Sequence, residues 1–101
     1  MVNSNAQSQD ASILLAHAET DALLQQVTEQ IDLDTFDVND AELLMRLVES
    51  LGDTRGMTRL RFAETLAEID EAATPFLLEA LANNANPVVR RAASKTLTLI
   101  G

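Results

Sequence analysis

Ala73-Thr-Pro-Phe-Leu-Leu-Glu-Ala-Leu81, then Asn84-Ala-Asn-Pro-Val-Val-Arg-Arg-Ala-Ala93, then Leu97-Thr-Leu-Ile-Gly101, is the stretch that decides the fold. Thr74-Pro75 is a helix start, with a hydroxyl at the cap and proline in the first turn, where its missing N–H costs nothing. Leu77, Leu78 and Leu81 follow at helical spacing. Asn83 to Pro87 break the helix, and a second one carries Val89, Ala92, Ala93, Leu97 and Ile100. A hairpin of two helices this short cannot bury both apolar faces by itself, so it calls for a neighbour.

The neighbour lies immediately upstream. From Asp40, Leu43, Leu44, Leu47, Val48 and Leu51 form a broad apolar helical stripe. Gly52-Asp-Thr-Arg-Gly56 interrupts it, and a following helix carries Leu60, Phe62, Ala63, Leu66 and Ile69 before a turn at Asp70 to Thr74. A shift of 30 matches Leu47 to Leu77, Glu49 to Glu79 and Leu51 to Leu81. A shift of 31 matches Arg59 to Arg90, Thr65 to Thr96, Leu66 to Leu97 and Ile69 to Ile100. The extra residue falls in the turn, where an insertion is tolerated. A period near 30 built from antiparallel helices is an α-solenoid signature, and no segment alternates with the two-residue period of a strand. The fold class is therefore all-α: an α-solenoid of helical hairpins in a right-handed stack. Its core is assigned to Leu43, Leu47, Leu51, Leu66, Ile69, Leu81, Leu97 and Ile100.

Outward from the repeats, residues 1–9 are small and polar and read as a disordered tail. Residues 10–39 read as an N-terminal helical cap and loop. Asp10 caps a helix with Ile13, Leu14 and Leu15, and Thr20 or Asp21 restarts it before Leu23, Leu24, Val27 and Ile31. Asp32 to Asn39 form an acidic loop with Phe36 and Val38 tucked onto the core. Repeat 1 then occupies 40–70 and repeat 2 occupies 71–101. The apolar residues of the last pair exceed what one neighbouring pair covers. The chain is accordingly expected to be the N-terminal part of a longer solenoid, or to cover its open end by self-association.

Charge divides the chain in two. Residues 1–45 carry nine acids and no Lys or Arg, while residues 46–101 carry seven of each sign, so the net charge of −9 belongs to the first half. An acidic lobe repels phosphate backbones and argues against a nucleic-acid partner. No run approaches the roughly 18 apolar residues of a membrane span, and Met1-Val-Asn-Ser-Asn5 has neither the basic end nor the apolar centre of a signal peptide. The absence of Cys excludes thiol chemistry and fits a reducing, cytoplasmic setting.

The repeated residues carry a family resemblance. The stretch from Ala73 to Gly101 resembles one complete HEAT-like repeat of the type named after the phycobilisome bilin lyases. In that family an Asp or Asn in the turn faces an Arg at the head of the second helix, positions held here by Asp53 with Arg59 and Asn84 with Arg90. Repeat 1 departs from the pattern, with Gly56-Met57 where proline and valine are usual and Arg61-Phe62 in place of two alanines. The acidic cap and divergent first repeat resemble the cyanobacterial NblB-type members associated with phycobilisome degradation more than the heterodimeric lyase subunits. The resemblance implies a protein-interaction module with no permanently bound cofactor. It would dock a phycobiliprotein, or its open-chain tetrapyrrole (bilin), in phycobilisome degradation or pigment handling. The alternatives are the non-catalytic part of a bilin lyase, with activity outside this segment, and a scaffold or assembly factor.

Four arginines are the candidate binding residues: Arg59, Arg61, Arg90 and Arg91. Arg59 and Arg90 also have a structural role open to them, as a hydrogen-bonded ladder with Asp53 and Asn84 between stacked turns. Arg61 and Arg91 are placed on a basic ridge at the head of the second helices. His17, the one histidine, has no ligand partner at i+3 or i+4, which argues against zinc. The carboxylate pairs Asp32/Asp34 and Asp70/Glu71 sit in turns rather than apolar pockets, and the three glycines form no phosphate loop. Phe36, Phe62 and Phe76 are read as core rather than a base-stacking platform. No catalytic constellation emerges.

Overall fold

Five helices account for the broken apolar pattern in the computed structural model, which describes residues 4–101. They are α1 (Ser4–Asp32), α2 (Ala41–Glu49), α3 (Gly56–Ile69), α4 (Thr74–Asn83) and α5 (Pro87–Ile100), with 3-10 turns at Ser50–Gly52 and Asp70–Ala72. There is no strand among the described residues. The α2–α3 and α4–α5 pairs are the two hairpins. They stack α2 on α4 and α3 on α5, while α1 lies against α3 on the other side.

Helix α1 is longer and more continuous than its sequence suggests. The Thr20 hydroxyl donates to the Ala16 carbonyl at 3.0 Å, one turn back, instead of capping a new helix. No Gly or Pro interrupts residues 4–32, so a single helix runs through the expected restart and includes residues 4–9 of the expected tail. Residues 1–3 lie outside the described residues. Asp34, at φ 57°, takes the left-handed conformation that ends the helix, with the Thr35 N–H returning to the Gln30 carbonyl at 2.7 Å. Phe36 packs against the core as expected, but Val38 is exposed, because the loop turns outward to place the Asp40 cap. Asp40 Oδ1 accepts the Leu43 N–H at 3.1 Å and starts α2.

The two later helix starts differ. Asn86 Oδ1 accepts the Val88 N–H at 2.9 Å, with Pro87 as the first residue of α5. At α4 the expected Thr74 cap is not formed. The 3-10 turn Asp70–Ala72 runs straight into the helix, so Ala73, already helical at φ −82°, takes the cap position and Thr74 lies inside. That turn begins at Asp70, whose φ of 66° is a conformation favouring glycine.

Core residues obey the stacking. Leu43, Leu47, Leu51 and Leu66 are buried as expected, joined by Leu23 and Val27 of α1, Leu44, Phe62, Leu77 and Val89. Ile69, Leu97 and Ile100 are half-buried, and Leu81 is 39% exposed. The reason is positional. Leu51 and Leu66 of repeat 1 are covered by repeat 2, and their counterparts Leu81 and Leu97 are covered by no further hairpin among the described residues. Val48, 4% exposed, has the same relation to Leu78, 51% exposed.

Gly52 marks the closest approach between the hairpins. A Cβ at this position would stand 2.8 Å from both Asn86 Nδ2 and Val89 Cγ2. The head of α5 therefore seats directly on the backbone of the first turn, a contact no larger residue permits without movement.

Leu66→Ala is expected to cost about 2–5 kcal/mol, and Leu97→Ala about half as much, because only Leu66 is fully enclosed. Gly52→Ala is expected to cost about 1–3 kcal/mol by forcing Val89 and Asn86 away. Urea unfolding of the three variants checks the order; equal losses for Leu66 and Leu97 would contradict the stacking.

Candidate functional site

The two turns are built alike, and this locates the ladder residues. Asp53 Oδ1 accepts the Arg55 N–H at 2.8 Å, and Asn84 Oδ1 accepts the Asn86 N–H at 2.9 Å, each a side chain folding its own turn. Arg59 Nη1 donates to the Asp53 carbonyl at 2.7 Å, and Arg90 Nη1 to the Asn84 carbonyl at 2.6 Å. The paired residues thus meet at equivalent places in both repeats, but each arginine grips a backbone carbonyl of its own turn rather than the Asp or Asn side chain. The links between units are made not by these arginines but by Arg55 and by the Asn84 side chain. Arg55 reaches from the first turn to Asp21 of α1 at 3.0 Å, and Asn84 Nδ2 donates to Glu49 Oε1 at the end of α2.

Arg55 stands where repeat 2 has Asn86, so no repeated arginine marks it and periodicity could not find it. Its guanidinium donates to both oxygens of Asp53, at 3.0 and 3.1 Å, and its backbone N–H adds a third bond. The Asp53 side chain is 6% exposed. These bonds from Arg55, chiefly the side-chain ones, outweigh burial and hold the Asp53 carboxyl below the ordinary aspartate range. The same pairing, with Asp21, raises the Arg55 guanidinium further above its usual value. His17 Nε2 stands 3.4 Å from Thr54 Oγ1 beside this cluster.

Of the four candidate arginines, Arg59 and Arg91 come together. They line a groove of about 510 Å³ between α3 and α5, with Leu60, Ala63, Val88, Ala92 and Leu99 as its apolar surface and Lys95 as a third cation. Arg91 and Lys95 are exposed and form no ion pair among the described residues. Arg90 is half-buried at the turn, held on the Asn84 carbonyl. Arg61 faces the other way. It lines the wider groove between α1 and α3, about 1090 Å³, with Asp21, Glu29, Asp32, Glu64 and Glu68. The basic ridge is therefore divided: one groove is cationic and the other is dominated by acids.

Lys95 was missed by the sequence reading, although it follows Arg91 by four residues and so shares its helix face. Leu60, Val88 and Leu99 were also missed as site residues, since apolar periodicity alone assigns such side chains to a core; all three are exposed, at 47%, 37% and 57%. An apolar surface rimmed by cations suits a ligand with a flat or apolar body and carboxylates. Among the described residues no three His, Cys, Asp or Glu side chains gather as a metal site, and no helix is long and apolar enough to cross a membrane.

Comparison with known proteins agrees with this architecture. Residues 11–98 match the family described as HEAT repeats, which extends the match into α1, beyond the two hairpins. The chain is 39% identical over 102 aligned positions to the bilin biosynthesis protein MpeU of Synechococcus sp. (strain WH8020). That alignment takes in 100% of this chain and 34% of the relative, so the chain spans about a third of its length. No solved structure matches. The family match and this relative bear out the HEAT-like, bilin-lyase-type resemblance of the repeats.

The Asp53–Arg55–Asp21 cluster generates a pH dependence. A carboxyl whose pKa is lowered on folding contributes stability that is present above its unfolded value and is lost as pH falls through the folded one. Acid unfolding is expected to include a component below pH 3.8, the ordinary aspartate value. In Asp53→Asn this component disappears: the variant is less stable at neutral pH, and its difference from wild type shrinks below pH 3.8. Unfolding curves followed by circular dichroism between acid and neutral pH check this.

Proposed function

Since this chain belongs to the HEAT repeat family, whose stacked hairpins present long faces to partners, we propose that it is a non-catalytic interaction module. Its α3–α5 groove docks phycobiliproteins or their bilin chromophores in pigment handling or phycobilisome degradation. The observation that carries this reading is the grouping of Arg59, Arg91 and Lys95 around the apolar surface formed by Leu60, Ala63, Val88, Ala92 and Leu99. A bilin has an extended conjugated body and two propionate carboxylates. Its body covers the exposed leucines and valine while the propionates pair with the cations. Arg91 and Lys95 are the free partners, since Arg59 already donates to the Asp53 carbonyl. Arg90, committed to its own turn, has a positioning role at the head of α5.

A second reading has an observation of its own. The relative's name is that of a bilin biosynthesis protein, and it is about three times as long as this chain. That favours this segment as the non-catalytic, pigment-holding part of a bilin lyase, with bond formation assigned to residues elsewhere. Both readings place the pigment in the same groove and differ in whether it becomes covalently attached.

Visible absorbance tests both. Mixing the chain with the open-chain tetrapyrrole biliverdin is expected to shift and sharpen the pigment's long-wavelength band. Arg91→Glu with Lys95→Glu is expected to weaken binding at least about tenfold, the scale set by losing charge-assisted contacts. Mixing with an intact phycobiliprotein distinguishes docking, which leaves the pigment attached, from its release or transfer. No spectral change with either probe overturns the pigment reading.

A further inference from the structure

The stack ends on a face that repeats one already filled inside it. Val48 of α2 and Leu51 of the turn after it are enclosed beneath repeat 2, and Leu78 and Leu81, thirty residues on, are exposed at the same places of repeat 2. Leu66 of α3 is enclosed in the same way, while Leu97 of α5 is half-buried. A polar residue recurs with them. Glu49 Oε1 accepts from Asn84 Nδ2 in the turn that covers it. Glu79 stands thirty residues later, exposed, and its Oε1 accepts from Asn83 Nδ2 of its own helix at 2.9 Å. The leucines and the carboxylate of the open face are thus counterparts of a face whose cover the structure contains.

That cover selects the occupant. It is a pair of short helices with a shared apolar stripe, joined by a turn whose side-chain amide reaches the glutamate. A second copy of this chain does not have such a face free, because Val89 of its repeat 2 already lies against its own Gly52. An anionic ligand meets the Glu79 carboxylate and is disfavoured. Ala82 holds the place of Gly52, so the incoming turn rests on a methyl group where α5 rests on bare backbone.

We propose that the open α4–α5 face docks a further helical hairpin of the same repeat type, which covers Leu78, Leu81 and Leu97 and offers an asparagine amide to Glu79. The contact continues the interface between repeats 1 and 2, and it stands whatever the α3–α5 groove binds. Glu79 sets the register. It exchanges its bond to Asn83 for one to the incoming turn, as Glu49 bonds Asn84. A hairpin slipped by one helical turn buries the leucines but leaves that amide without its acceptor, a loss that favours the aligned position.

A synthetic peptide of residues 71–101, titrated with the full chain and followed by circular dichroism and fluorescence anisotropy, tests this. A lone hairpin has no neighbour to bury its faces, so the peptide is expected to be unstructured alone and to gain helix to saturation as the full chain is added. Leu81→Asp in the full chain, at an exposed position, is expected to weaken binding at least about tenfold with the chain's own helicity unchanged. Asn84→Asp in the peptide keeps the acceptor that folds the turn, as Asp53 does in the first turn, but sets a carboxylate against Glu79. It is expected to weaken binding about three- to tenfold, and Glu79→Gln in the full chain is expected to recover that loss. A peptide that gains no helix overturns the proposal. So does binding indifferent to Leu81→Asp. A loss recovered by Glu49→Gln instead of Glu79→Gln overturns it as well, because the peptide would then have taken the place of repeat 2. Self-association of the full chain in sedimentation velocity, abolished by Leu81→Asp, overturns it by giving the face to a second copy.

Discussion

Burial of Leu51, Leu66 and Val89 between the two hairpins is the constraint on which the rest of this structure depends. Neither hairpin has an interior of its own; each is two short helices with one apolar stripe apiece. Stacking turns those stripes into one core, and the same contact seats the head of α5 on Gly52. The cost of the arrangement is visible on repeat 2. Leu78 and Leu81 are exposed where Val48 and Leu51 are enclosed, because among the described residues no further hairpin lies on repeat 2. Exposure here is a consequence of order in the stack, not of residue type.

The turns convert this stacking into a fixed geometry. In each, an Asp or Asn folds the backbone locally and an arginine six residues on closes the turn through a carbonyl. An arginine so held fixes the head of its helix, and with it the direction in which the following side chains project. Arg91 and Lys95 owe their position in the groove to Arg90 being anchored just before them. The most repeated residues are thereby structural, and the groove's free cations are the less regular ones.

Electrostatics separates the faces. Asp21, Glu29 and Asp32 of α1 line the α1–α3 groove together with Glu64 and Glu68, and Arg59, Arg91 and Lys95 line the groove on the other flank of α3. Adjacent grooves of opposite character let one surface discriminate ligands by charge while offering comparable apolar area. Arg55 adds a different use of charge: by bridging Asp21 and Asp53 it ties the acidic helix to the first turn of the repeats.

Much of this was written in the sequence, because helical periodicity and turn chemistry are local. The spacing of Leu43, Leu47, Leu66 and Leu77, the breaks at Gly52 to Gly56 and Asn83 to Pro87, the prolines and the period near 30 determined the hairpins and their count, and the recurrence of Arg59 and Arg90 located both turns. Tertiary structure decided the rest, for reasons no local pattern contains. Whether Leu51 or Leu81 is buried depends on which hairpin lies above it. Whether an arginine is anchor or binding group depends on the acceptor within its reach: a carbonyl for Arg59 and Arg90, acids beside Arg61, and open solvent for Arg91. The groove joins residues from two helices about 30 positions apart, and only their packing brings that charge and that apolar surface together.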